Sequence, residues 1–143
     1  MPNTRYKHYK WHKRVSDFPF THAIAVSLLA SAIIFMISLG PTPFDHGLGT
    51  VLVLFAIPAT IMILVGLQWK GSVIHGYGIE QAGHWLAVGT WALNVWMLLG
   101  LGGTFTIVTP LILATAHALR AHRLHRESKN IMNVMRESAV AET

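Results

Sequence analysis

Hydrophobic positions in this chain neither alternate nor form a single stripe. They run together in four blocks, at 19–39, 48–67, 82–101 and 104–119, set apart by polar or glycine- and proline-rich breaks. A bilayer core about 30 Å thick is crossed by roughly 20 apolar residues in a helix. The blocks therefore predict four transmembrane helices in two antiparallel hairpins. The fourth is the shortest, which implies little tilt or a locally thinned bilayer.

The breaks have physical causes. Pro19 suits the first helical position, where a missing N–H costs nothing. GPTP at 40–43 ends the first block, because glycine and proline punctuate and the residue before proline avoids the helical region. Pro58 falls near the middle of the second block and removes one backbone hydrogen bond, which neighbouring helices make tolerable in a membrane. The segment 68–81, with its Gly71, Gly76 and Gly78, reads as a loop. GLGG at 100–103 leaves room only for a tight turn between the last two spans.

Charge then fixes an orientation. Five of the 11 Lys and Arg residues lie in the arm 1–18, Lys70 lies in the loop at 68–81, and five lie in the tail 120–143. The breaks after the first and third blocks contain none. Basic loops stay cytoplasmic. Four spans with both termini inside place every basic residue on one side. The expected fold is thus an all-α integral membrane protein with cytoplasmic N and C termini, in three parts: a basic-aromatic arm at 1–18, a four-helix domain at 19–119, and a basic tail at 120–143.

Composition agrees. Charged residues make up 12% and hydrophobic ones 52% of 143 residues, with a mean hydropathy of +0.47; soluble domains carry about 25% charged residues. Cysteine is absent, which removes disulfides, thiolate metal sites and cysteine nucleophiles. The arm RYKHYKWHKR interleaves Arg5, Lys7, Lys10, Lys13 and Arg14 with Tyr6, Tyr9 and Trp11. That mixture suits the headgroup layer, and orientation accounts for the charge without invoking nucleic acid. Arg120, Arg123 and Arg126 open the tail and are expected to anchor at the same surface. Ile131, Val134 and Met135 follow at helical spacing, so a helix is expected to continue out of the fourth span along the membrane surface. The final SAVAET is expected to be disordered. A basic start followed by Ala30-Ser31-Ala32 is reminiscent of a cleavable signal, but apolar residues continue through Leu39, so a retained helix is expected.

Candidate chemistry is sparse. Nine histidines are present. His22, His84 and His117 fall near the cytoplasmic ends of spans one, three and four, and Glu80 precedes His84 by one helical turn. His22, Glu80, His84 and His117 could in principle hold a metal, coordinate haem or relay protons. The plainer expectation is that interfacial rings sit wetted at headgroup level, with no metal and no cofactor. Haem b, held by His22 and His117, is the alternative.

Small residues recur every four positions as Ala23, Ser27 and Ser31, as Ala56 and Thr60, and as Ala114 and Ala118. Such faces let helix backbones approach closely, within the chain or between copies. Asn94, strongly polar within the third span, is expected to hydrogen-bond to a neighbouring helix or subunit. No nucleophile elbow, HExxH or phosphate loop occurs, and the chain is not expected to be an enzyme.

The arm ending in RVSDFPFTHA, the IEQAG that opens the third span, the short hairpins and the basic tail together resemble the small four-span membrane proteins of actinobacterial phages, often encoded beside lysis genes and called holin-like. That resemblance implies assembly in the bacterial host's cytoplasmic membrane, with the lipid bilayer and further copies as partners, and lesions that release or activate a lysin. The alternative is an accessory or anchor subunit of a larger membrane complex of the respiratory or redox kind.

Overall fold

A computed structural model describes residues 19–38, 43–100 and 107–141. They form four helices: α1 Pro19–Ser38, α2 Pro43–Gln68, α3 Val73–Gly100 and α4 Val108–Ala141. The described residues contain no strand. The basic-aromatic arm, most of GPTP and most of the turn at 100–103 lie outside the described residues.

Several boundaries differ from the sequence expectation. α2 begins at Pro43 rather than near Leu48, so Asp45 and His46 belong to a helix and not to the break before it. The segment 68–81 is not a loop. α3 begins at Val73, and the connection from α2 spans only 69–72. Gly76 donates its N–H to the Ser72 carbonyl at 3.1 Å, closing the first turn. Each helical glycine costs about 1 kcal/mol against alanine, yet Gly76 and Tyr77 are buried. Tertiary burial outweighs local propensity here. At the other end, α4 runs to Ala141, so the first residues of the SAVAET segment are helical. Over its 34 residues the helix is about 50 Å long. Pro58 lies inside α2, which continues through it.

The helices pack in chain order, α1 on α2, α2 on α3 and α3 on α4. Register shows α2 and α3, and likewise α3 and α4, to be antiparallel. Thr60 Oγ1 donates to the Ala25 carbonyl at 3.1 Å, joining α2 to α1. Between α2 and α3 the contacts are set by glycine. A β-carbon on Gly66 would lie 2.5 Å from the Glu80 nitrogen, and one on Gly83 would lie 2.8 Å from the Ile63 nitrogen. Residue numbers fall along one helix as they rise along the other.

The core combines small and medium apolar side chains with one large one: Ala25 and Leu28 from α1, Ala59 and Ile63 from α2, Ala87 and Trp91 from α3. Leu113 and Ala114 of α4 pack against it. On α1 the inward face is Thr21, Ala25, Leu28 and Ala32. Ala23 and Ser27 point outward, and Ser31 is half-buried; Ser27 bonds back to the Ile24 carbonyl at 2.8 Å.

Among the described residues one helical stretch, Gly49–Gln68 of α2, is long and apolar enough to cross a membrane by length and composition; Thr21–Ile34 of α1 is a shorter apolar stretch. α3 is diluted by Glu80, His84 and Asn94, and α4 is apolar only in its first half.

A buried Glu–Arg–His–His cluster as the candidate functional site

Polar side chains of α3 and α4 meet where the two helices cross the end of α2. Glu80 and His84 lie one turn apart on α3, and so share a face. His117 and Arg120 lie three residues apart on α4. Because the helices are antiparallel, Glu80 meets Arg120 and His84 meets His117.

Arg120 donates from Nε at 3.1 Å and from Nη2 at 2.7 Å, both to Oε1 of Glu80. Glu80 is fully buried and the Arg120 side chain is 11% exposed. A carboxylate taken out of water needs such a partner, since an isolated buried charge costs several kcal/mol or more even after relaxation. Gly66 brings α2 against the backbone of Glu80, so the acid is fixed from behind as well as in front.

His84 and His117 face each other Nδ1 to Nδ1 at 2.7 Å, with ring centroids 5.0 Å apart and planes inclined by 47°. They are 2% and 1% exposed. One Nδ1 must carry the proton and the other the lone pair, so the two rings hold complementary tautomers. His84 Nε2 lies 3.8 Å from Oε1 of Glu80, beyond hydrogen-bond reach. The Nε2 atoms of both rings are buried without a hydrogen-bond partner.

The expectation that these side chains wet themselves at the interface is therefore corrected. Glu80, His84 and His117 are buried within the protein. Arg120, expected as a surface anchor, turns inward to Glu80. Arg123 and Arg126 remain exposed, and Arg123 donates to Glu127, one turn on, at 2.9 Å. His22 is half-buried on α1, a helix whose neighbour is α2, and it does not join the cluster. The arm residues Arg5, Lys7, Lys10, Trp11, Lys13 and Arg14 lie outside the described residues.

Of the small-residue positions, Ala56 and Thr60 are buried on α2, Ala114 and Ala118 are half-buried on α4, and Asn94 is half-buried on α3. Two residues that matter most were not singled out from sequence, Gly66 and Gly83. Their signal was available: glycine in an otherwise apolar helix marks a close backbone approach. Arg120 also had a signal, because the lone acid between two apolar stretches requires a cation.

No set of three or more His, Cys, Asp or Glu side chains among the described residues could hold a metal ion. The reason is geometric. The Nδ1 atoms at 2.7 Å are closer than two tetrahedral zinc ligands, which sit about 3.4 Å apart when each bond is near 2.1 Å. The haem alternative fits poorly too. Nδ1 of His117 is engaged with His84, and its Nε2 is buried, so neither nitrogen is open to an iron. The cluster can hold and move protons and can clamp α3 to α4.

No protein-family model, curated protein or solved structure matches this chain.

Proposed function

We propose that this chain is an integral protein of a bacterial cytoplasmic membrane, with both termini on the cytoplasmic side. In this reading it acts without catalysis, assembling with further copies and permeabilising the bilayer in the manner of the holin-like proteins it resembles.

The observation that supports membrane insertion is the reversal of the usual soluble pattern. The charged cluster is inside, while Ile34, Leu54, Ile61, Trp96, Leu111 and Ile112 stand outside, each at least half exposed. Exposed apolar surface on this scale calls for a partner or for lipid. Self-assembly is supported by α1, which packs on α2 through Ala25 and Leu28 and leaves Ala23 and Ser27 on its open side. Small residues there would let a second copy approach closely.

Induced expression in a bacterial host, following turbidity and membrane potential together, tests the reading. Abrupt depolarisation at a set time, weakened by Ser27→Leu or Asn94→Leu, is expected. Normal growth with intact potential, despite confirmed insertion, overturns permeabilisation.

The buried cluster favours a second reading. Ionisable groups inside a membrane are costly and functional by default, and a passive lesion-former has no evident need of them. As a subunit of a larger membrane complex, the chain would co-purify with a partner and be stable only when that partner is co-expressed. A chain that is equally stable when expressed alone and brings down no partner overturns this reading.

A further inference from the structure

We propose that His84 and His117 form a single proton-binding site, in which two rings share one bridging proton and take up only one more, at Nε2 of His84, with Glu80 as the counter-ion. The inference stands apart from whether the chain permeabilises membranes.

Proton counting leads to it. Two neutral imidazoles carry one N–H each. One of these must lie between the facing Nδ1 atoms, because two bare nitrogens would not approach to 2.7 Å. The ring that supplies it keeps a bare Nε2, and its partner carries the second N–H at Nε2. Were His84 Nε2 the protonated one, its N–H would face the Glu80 carboxylate and close to a charge-assisted bond of about 2.7–2.9 Å. It stands instead at 3.8 Å, which assigns the bare nitrogen to His84 and the bridging N–H to its Nδ1. His117 accepts that bond and carries its own proton at Nε2.

An arriving proton adds to the lone pair of His84 Nε2. No other bond forms or breaks and no electrons are transferred. His84 becomes an imidazolium beside an anion, and the 3.8 Å gap contracts to a hydrogen bond. Oε1 of Glu80 then serves this donor as well as the two from Arg120, which loosens the Glu80–Arg120 clamp between α3 and α4. A second added proton is excluded by geometry, because it would set two N–H groups against each other across the Nδ1 contact.

Among the described residues, these charged and titratable groups lie on the elements around the pair. α3 presents Glu80 and, one turn before it, Tyr77; α4 presents Arg120. α2 offers Ala59, Ile63 and Gly66 at this level; its Asp45 and His46 lie in its first turn, about 30 Å along the helix from Gly66. α1, with His22, packs on α2 rather than on the cluster.

The test uses the full chain in lipid nanodiscs with 15N-labelled histidine rings, signals being assigned from His84→Gln and His117→Gln. A scalar coupling between the two Nδ1 nuclei across the bridging proton is expected. So is uptake of one proton, not two, by the pair as the medium is acidified. Glu80→Gln, which keeps an acceptor for Arg120 but removes the charge, is expected to lower the pair's proton affinity at least about tenfold, one pH unit. Absence of the coupling, or two rings each charging independently, overturns the proposal. An unchanged midpoint in Glu80→Gln overturns the role of Glu80. Should that variant fail to fold, the coupling and the proton count of the unaltered chain decide.

Discussion

The backbone of Glu80 occupies the place where a β-carbon of Gly66 would have to be, the nitrogen of Glu80 lying 2.5 Å from that position. One missing side chain on α2 thus lets α3 come close enough for its only acidic residue to be sealed inside. The contact atoms are the nitrogen, α-carbon and β-carbon of Glu80, so nothing there can swing aside. Gly66→Ala is expected to destabilise the fold by about 1–3 kcal/mol, the usual range for forced overpacking. Gly78, whose added β-carbon meets nothing within 4 Å, supplies the control: Gly78→Ala is expected to be neutral or to stabilise by up to about 1 kcal/mol. Thermal unfolding of both variants in the same detergent checks the pair.

Breaking the ion pair from one side should cost more than removing it. Arg120→Ala leaves a carboxylate buried and uncompensated, with an expected loss of about 3–5 kcal/mol. Arg120→Ala combined with Glu80→Leu is expected to be milder than Arg120→Ala alone, because apolar groups of similar volume often replace a buried pair at little cost. A double-mutant cycle on unfolding free energies reads the coupling directly. Additive losses would show that the two side chains do not depend on each other.

Leu54 and Ile61 stand 64% and 53% exposed on α2. On a protein in water, Leu54→Lys would change stability by no more than about 0.5 kcal/mol. In a span it costs about 2.5–3.5 kcal/mol near the helix centre. Membrane insertion, followed by resistance to alkaline extraction, is expected to fall sharply for Leu54→Lys and little for Lys129→Ala, which lies on the exposed tail. Equal behaviour of the two variants would remove the lipid-facing assignment of α2.

Ser27 donates only to its own helix, to the Ile24 carbonyl, whereas Thr60 bridges two helices through the Ala25 carbonyl. Thr60→Val should therefore cost the monomer about 1 kcal/mol, the net worth of one hydrogen bond. Ser27→Leu should leave the melting temperature of the monomer unchanged and reduce cross-linking between copies. Thermal unfolding and chemical cross-linking, run side by side on the two variants, separate the inner contact from the outer one.

Much of the architecture was legible before any coordinates. Pro19 places the start of α1, and the ends of the first three apolar blocks place the ends of α1, α2 and α3 to within a residue, since these depend on local backbone restriction and composition. The start of α3 was not legible. Gly71, Gly76 and Gly78 weaken a helix locally, and only the burial of Gly76 and Tyr77 outweighs them. The face of α1 that turns inward was also hidden, because that helix is apolar nearly all round and Ala23, Ser27 and Ser31 look as suitable for packing as Ala25, Leu28 and Ala32.

The sequence by itself determined four helices, their order, and the residue types available for chemistry: one acid at Glu80 among apolar neighbours and histidines at 84 and 117. Periodicity, proline and glycine act over a few residues, and so they can be read along the chain. Only the tertiary structure decided that Arg120 turns inward instead of reaching the surface, and that two rings 33 positions apart share a hydrogen bond. Those outcomes depend on antiparallel register between α3 and α4 and on a gap of one side chain at Gly66. Register is set by how whole helix faces fit, which no single stretch of sequence records.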